Sequence, residues 1–232
     1  MPAVIEAGLW GLLGGLALLA GAGIALVVDV PGRVVGAVMA FGAGVLISAA
    51  SFDLTAEAFV TGGADAASGG LAAGALTFFV VSRAVKGGGA VPIVVGAILD
   101  GIPESAAIGL SVLDPGGVST AVVVAVFVSN IPESLSSTAE LRRNHSAAWL
   151  LTLWGVVAVV CALSAAIGYG ALDGADEDLL GFVNAFAAGA IITMLADSMI
   201  PEAFEHEKRS LATGLLVTLG FAVAALLSAN GA

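Results

Sequence analysis

Residues 147–170, AAWLLTLWGVVAVVCALSAAIGYG, carry no charge at all. A helix of that length, rising about 1.5 Å per residue, matches the ~30 Å hydrocarbon core of a bilayer. In that medium only helices and closed barrels can satisfy every backbone N–H and C=O. Comparable apolar runs recur near 6–28, 33–57, 69–86, 91–113, 117–140, 146–171, 179–202 and 210–228, and the short alternating segments of a membrane barrel are missing. With 59% hydrophobic and 11% charged residues and a mean hydropathy of +1.08, too little polar surface remains for a water-soluble form. The expected fold is therefore an all-α integral membrane protein of eight transmembrane helices. Gly-Gly, Asp-Pro-Gly and Lys-Gly-Gly-Gly punctuate short connections, so residues 1–232 read as one transmembrane domain. The first run, preceded by no basic residue and long for a signal sequence, reads as a retained span.

The seven basic residues order these spans. Arg33 falls between runs 1 and 2, Arg83 and Lys86 between 3 and 4, Arg142 and Arg143 between 5 and 6, and Lys208 and Arg209 between 7 and 8. Basic loops stay cytoplasmic, which places both termini outside. The opposite loops carry Asp65, Asp114, Asp173, Asp176, Glu177 and Asp178 and no basic residue, giving that face a negative field that concentrates cations. A net charge of −11 gives no footing for a nucleic-acid partner.

The chain also repeats itself. AFGAGVLIS at residues 40–48 matches AFAAGAIIT at 185–193, and Glu57-Ala58-Phe59 matches Glu202-Ala203-Phe204 at the same offset. Run 2 thus resembles run 7, which travels in the opposite direction through the membrane. With a central antiparallel pair, this predicts an inverted 3+2+3 repeat, an arrangement used by secondary transporters whose substrate sites lie near the bilayer midplane.

That central pair holds the polar residues least expected in hydrocarbon. GIPES at 101–105 returns as NIPES at 130–134. Pro103 crowds the carbonyl of Leu99 and Pro132 that of Val128, so each helix is expected to kink or break there and free backbone oxygens. Asp100 and Glu104 share one helix face, as do Asn130 and Glu133. A carboxylate at the bilayer centre costs about 3 kcal/mol, and no Lys or Arg lies at the same depth to offset it. Asp100, Glu104, Asn130 and Glu133 are accordingly the candidate ligands of a divalent cation, bound by oxygen donors.

Other carboxylates suggest a pathway. Asp53 and Glu57 fall one turn apart near the outer end of run 2, and Asp197 and Glu202 near the inner end of run 7; His206 follows in EAFEHEKR. Ser129, with Ser48, Ser51, Ser105 and Ser134, offers weaker oxygen ligands or interhelical hydrogen bonds. The small-residue pairs Gly11/Gly15 and Gly70/Gly74 read as helix-packing positions, and His145 as a surface residue. Cys161, the sole cysteine, reads as a small buried apolar residue without a disulfide partner.

FGAGVLISAASFDL, the paired Pro-Glu-Ser motifs and FAAGAIITMLADSMIPEAF together resemble the Zrt/Irt-like (ZIP) divalent-metal transporters, especially compact prokaryotic ones, across essentially all eight runs. The resemblance implies a multi-pass protein of the plasma membrane. It would carry zinc, manganese, iron, cadmium or a similar ion toward the cytoplasm, usually as a homodimer, with the metal held between the fourth and fifth helices and no organic cofactor. The family's fourth-helix motif, typically His-Asn-x-Pro-Glu-Gly, falls on Asp100, Gly101, Ile102, Pro103, Glu104 and Ser105; its fifth-helix counterpart falls on Ser129, Asn130, Ile131, Pro132, Glu133 and Ser134.

Both proline–glutamate pairs are kept, but the usual histidine is Asp100 in one motif and Ser129 in the other. The acidic residue that many members carry in the sixth helix has no counterpart between Trp149 and Tyr169, so one oxygen-rich site is expected rather than two. Loss of imidazole removes a ligand that favours zinc over harder ions such as manganese. The loop 86–90 has no histidine-rich tract. Competing readings are a proton or organic-cation carrier, which has only Phe127 near the site for an aromatic cage, and a ZIP-like fold that has lost transport. An enzyme is not expected, because Gly-x-Gly-Asp, His-Glu-x-x-His and serine–lysine or serine–histidine arrangements are all absent.

Overall fold

The computed structural model describes residues 2–84, 90–113, 116–206 and 212–231. Described residues form helices α1 (Ala3–Val27), α2 (Gly32–Thr61), α3 (Gly63–Ala84), α4 (Ala90–Ser111), α5 (Thr120–Leu141), α6 (Ala147–Leu172), α7 (Glu177–Glu205) and α8 (Thr213–Gly231), with no strand among them. Seven are long and apolar enough to cross a membrane, and α8 is a shorter apolar eighth. A helix stands at each of the eight apolar runs. Helix α3 starts at Gly63 rather than near 69, because its first turn is polar and escapes a hydropathy reading while Asp65 favours a helix N-terminus.

Local chemistry sets the turns. Gly63, at φ +71°, takes the left-handed conformation that reverses α2 into α3. Ser119, Ser146 and Asp176 cap α5, α6 and α7 by accepting from Val122, Trp149 and Leu179 backbone N–H groups. Pro103 and Pro132 do not interrupt their helices: α4 and α5 continue through them, so the expectation of a break narrows to the loss of one backbone donor in each. The irregular stretches lie elsewhere. Helix α2 widens to π geometry over Ala49–Ala56, and α7 does so over Leu195–Met199, the corresponding place in the sequence repeat.

Packing follows the repeat. Helix α3 lies along α7 as α8 lies along α2, and α1 packs on α5 as α6 packs on α4, while α1 and α6 pack on each other. The closest approaches match residue for residue. A side chain on Gly44 of α2 would strike the Val217 carbonyl of α8, and one on Gly189 of α7 would strike the Leu71 carbonyl of α3. Reciprocally, Gly220 of α8 faces the Phe41 carbonyl and Gly74 of α3 faces the Phe186 carbonyl. Absence of a Cβ lets these backbones touch, the usual means of association where lipid removes any hydrophobic drive between helices. Gly11 and Gly15 serve the same purpose for α1 against α6. The largest fully buried side chain, Trp154 of α6, donates its indole N–H to Thr138 of α5 at 2.8 Å.

Polar contacts sort the helix ends into two faces. Arg142, just beyond α5, bonds the Ala25 carbonyl at 2.7 Å and pairs with Asp29, next to the start of α2. Its neighbour Arg143 lines a cavity with Asp197 and Glu202 of α7, and Asp197 pairs with Arg83 at the end of α3. The loops with described basic side chains therefore share one face. Lys86, Asp114, Lys208 and Arg209 lie outside the described residues. At the opposite face, Gly62 and Asp65 border a cavity with Asp176 and Asp178, and Asp53 meets Ser119 and Ser228.

Candidate functional site

Glu104 occupies the centre of the bundle at 1% exposure. It projects from α4 toward Ser129 of α5, whose hydroxyl lies 3.5 Å from Oε1 and donates more firmly to the Val126 carbonyl at 3.0 Å. The other carboxylate oxygen, Oε2, is buried without a hydrogen-bond partner, as is the hydroxyl of Ser105 beside it in sequence. An unsatisfied buried oxygen of this kind carries a penalty of ~1–3 kcal/mol, more if charged. A cation or proton at this place would remove it.

Three further carboxylates lie in this neighbourhood, Asp100 and Glu133 within electrostatic reach of Glu104 and Glu202 within reach of Asp100 and Glu133. Asp100 stands one turn away on α4, Glu133 comes from α5, and Glu202 comes from α7; Glu133 is within electrostatic reach of Asp100, Glu104 and Glu202. Asp100 likewise feels Glu202. Glu202 accepts from the Ser136 hydroxyl at 2.6 Å, which ties α7 to the α5 turn following the Pro-Glu-Ser motif. The structure thus draws a predicted pathway residue, Glu202, into the neighbourhood of the predicted ligands. Among the described residues no three Asp, Glu, His or Cys side chains converge closely enough to hold a metal ion in this arrangement.

The remaining sequence candidates separate by position. Asn130 turns its amide to α1, donating to the Gly14 carbonyl at 3.0 Å, so its Nδ2 braces the helix pair. Asp197 is engaged by Arg83 at 3.1 Å at the basic face. Asp53 lies at the other face, where Oδ1 accepts from Ser119 at 3.0 Å and Ser228 at 2.8 Å while Oδ2 is buried and unpartnered. Glu57 accepts from Thr61 at 2.9 Å. The π-helical stretch through residue 53 changes the angular step there, so Asp53 and Glu57 do not stack as an ordinary α-helical turn would place them. His206 closes the last turn of α7, and its side chain lies outside the described residues.

Two cavities among the described residues reach the carboxylates from the arginine-bearing side. A cavity of about 450 Å³ is lined by Asp100, Leu99, Phe78, Arg83, Asp197 and Ser198. A second, of about 720 Å³, is lined by Glu202, Asp197, Glu140, Glu205 and Arg143. Both lie toward the face that carries the arginines. In the other direction Ala107 and Ile108 of α4 and Val122, Ala125 and Val126 of α5 are buried in one apolar cluster.

Two side chains that meet a distant helix have no obvious signal in the sequence. Ser136 is ordinary in a serine-rich helix until Glu202 is seen opposite it. Cys161 reads as apolar, and its Sγ faces Gly101 of α4.

Comparison with known proteins places the chain among metal transporters by sequence. The chain is 29% identical over 184 residues to an Arabidopsis thaliana protein named "putative zinc transporter", a match covering 72% of this chain and 30% of that protein. The chain therefore spans about 30% of that relative's length. The family model described as ZIP zinc transporter matches residues 81–228, more than half the chain and the whole of the carboxylate-bearing region from α4 to α7. The chain belongs to the ZIP zinc transporter family.

Proposed function

We propose that this protein moves divalent metal cations across the plasma membrane toward the cytoplasm, through a midplane site between α4 and α5. The observation that carries the proposal is the buried Glu104 with its unpartnered Oε2, within electrostatic reach of Asp100 and Glu133. Carboxylates grouped around a buried one are stabilised by a cation and repel one another without it. An ion in transit would draw them together, with Glu104 and Glu133 as the charged ligands and Asp100, Ser129 and the Oδ1 of Asn130 completing an oxygen-rich shell.

Membership of the ZIP family supports a divalent ion such as zinc, manganese, iron or cadmium as the substrate. Direction follows from the basic loops, which by charge belong in the cytoplasm and toward which both cavities open. Asp53 and Glu57 would then receive ions from outside, and Asp197, Glu202 and His206 would pass them inward. Both termini would be extracytoplasmic. The apolar outer surfaces of the helices face lipid, and a homodimer is the assembly we expect from the family.

Uptake of a panel of divalent ions into proteoliposomes tests this reading. The wild-type chain is expected to give saturable uptake of at least one ion. Glu104→Gln and Glu133→Gln, which keep size and remove negative charge, should each lower metal affinity at least tenfold, about 1.4 kcal/mol. Wild-type uptake and affinity in both correctly folded variants would show that the carboxylates are structural.

A further inference from the structure

The helices pack as two groups. Helices α1, α4, α5 and α6 lie mainly on one another, as do α2, α3, α7 and α8, and the groups meet where α2 packs on α5 and α4 on α7. Helix α5 is tied to the other group at both ends by serine hydroxyls. Ser136 donates to Glu202 of α7 at 2.6 Å, at the end where the cavities open. Ser119, the cap of α5, donates to Asp53 of α2 at 3.0 Å at the opposite end.

The bonds of Ser119 divide by purpose. Its backbone N–H donates to the Ser111 hydroxyl at 3.2 Å, which holds the connection between α4 and α5, and its Oγ accepts from the Val122 N–H at 3.2 Å as the helix cap. Both stay within one group. The O–H alone reaches across to Asp53, so it can let go while cap and connection persist. Asp53 in turn is joined to its own group by the Ser228 hydroxyl of α8 at 2.8 Å. Both hydroxyls bind Oδ1, and Oδ2 is buried without a partner. A carboxylate satisfied on one oxygen only is costly to keep buried, so this tie is a clasp that can part rather than a permanent brace.

The clasp stands over the apolar part of the α2–α5 contact. Ser119 and Ser129 are separated by about 15 Å along α5. Between them Val122, Ala125 and Val126 are buried in one cluster with Val45, Ala49 and Leu54 of α2. Ala125 lies one turn from Ser129, whose backbone lies against Gly42 of α2. We infer that the Asp53–Ser119 hydrogen bond is a latch: it holds the start of α5 against α2 over this cluster, and its parting opens the end of the bundle remote from the arginines. The inference rests on the metal-transport reading above and gives it a gate, since an ion reaching the midplane carboxylates from that end passes only when the two groups separate there. Asp53 and Ser119 act in this by positioning α5.

Thiol labelling of the full chain in oriented vesicles, without added metal, tests the latch. The probe is Ala125→Cys in a Cys161→Ser background, exposed to a membrane-impermeant maleimide on the face opposite Arg83 and Arg142. Ser119→Asp keeps a good helix cap but sets a second carboxylate against Asp53, and should speed labelling by at least roughly tenfold. Ser119→Asn keeps both the cap and a donor and should stay within about twofold of the starting protein. Asp53→Ala removes the tie without adding repulsion and should speed labelling about threefold; in that background Ser119→Asp should add less than about twofold, because its effect runs through Asp53. If Ser119→Asp folds poorly, Asp53→Ala and Ser119→Asn decide the question. Labelling by Asp53→Ala as slow as in the starting protein overturns the latch, and so does an equal gain from Ser119→Asp with and without Asp53. The transport reading fails on a different result, the absence of divalent-ion uptake by the wild-type chain, which leaves the labelling rates to judge the latch on their own.

Discussion

Helices α2 and α7 share a sequence, a packing partner of the same kind and a π-helical widening at the same place, yet their polar ends are built differently. On α2, Asp53 is held by two serine hydroxyls, one from the N-cap of α5 and one from α8, and buried apolar side chains of α4 and α5 pack in one cluster with those of α2. On α7, Asp197 is held by an arginine, and Asp197 and Glu202 line open cavities that lead to Asp100 and to the arginine-bearing face. A symmetric scaffold therefore carries one closed end and one open end. In inverted-repeat transporters alternating access is largely rocking or gating of one repeat against the other around a fixed site. Here the backbone supplies the equivalence, and the side chains at the two ends decide which arrangement is seen.

The largest expected effect attacks the equivalence itself. Gly44→Val and Gly189→Val each drive a branched side chain into a facing backbone carbonyl, of Val217 in α8 or Leu71 in α3. Backbone yields less readily than a side chain, so each should destabilise the protein by about 3 kcal/mol or more. The two losses should agree within about 1 kcal/mol if the halves are packed alike. Thermal unfolding of the detergent-solubilised variants measures both; tolerance at one position and collapse at the other would mean that the sequence repeat is not a packing repeat.

How much of this could be read from the sequence depends on the range of the interaction. Spans are encoded locally in hydropathy, and Glu104 and Glu133 stand out because charge and proline are rare in hydrocarbon. The repeat is visible because glycine and alanine spacing carries the helix contacts. The π-helical stretches left no mark, since Ala49–Ala56 has the composition of any small-residue membrane helix. The continuity of α4 and α5 through their prolines was likewise hidden, because neighbouring helices hold the chain helical where a lone peptide would bend. Roles that depend on meeting a distant helix were least legible: Asn130 turning to Gly14, Ser136 meeting Glu202 and Cys161 facing Gly101 each require the fold.

A second, smaller effect separates the two ends by access. In a Cys161→Ser background, a cysteine replacing Glu202 should react with a hydrophilic thiol reagent faster than one replacing Asp53, by at least roughly tenfold, equivalent to an opening cost of about 1.4 kcal/mol at the closed end. Labelling in oriented vesicles adds sidedness: position 202 should react from the face of Arg83 and Arg142. Equal rates would mean that the α2 end is as open as the α7 end and that the difference between them is only one of charge.

The smallest effect concerns that charge. Arg83 and Asp197 retain 54% and 37% of their side-chain exposure, and Arg83 also lies over the Phe79 ring, 3.5 Å from its centroid. Surface pairs of this sort contribute about 0–1 kcal/mol, so Arg83→Gln should barely change thermal stability. Its consequence should appear in transport, because the arginine places positive charge on the wall of the cavity that leads to Asp100. Removing it should raise apparent metal affinity by less than roughly fivefold, about 1 kcal/mol, and should weaken the dependence of uptake on ionic strength, since an exposed cation acts through a screened field. Ser228→Ala, which removes one of the two neutral donors to Asp53, is the matched change at the other end and should leave the salt dependence as it was. Uptake measured at low and high salt for the two variants separates the ends. A stability loss above about 2 kcal/mol in Arg83→Gln, beyond what an exposed pair can supply, would make the arginine a structural brace between α3 and α7. The same salt response in both variants would show that charge does not distinguish the open end from the closed one.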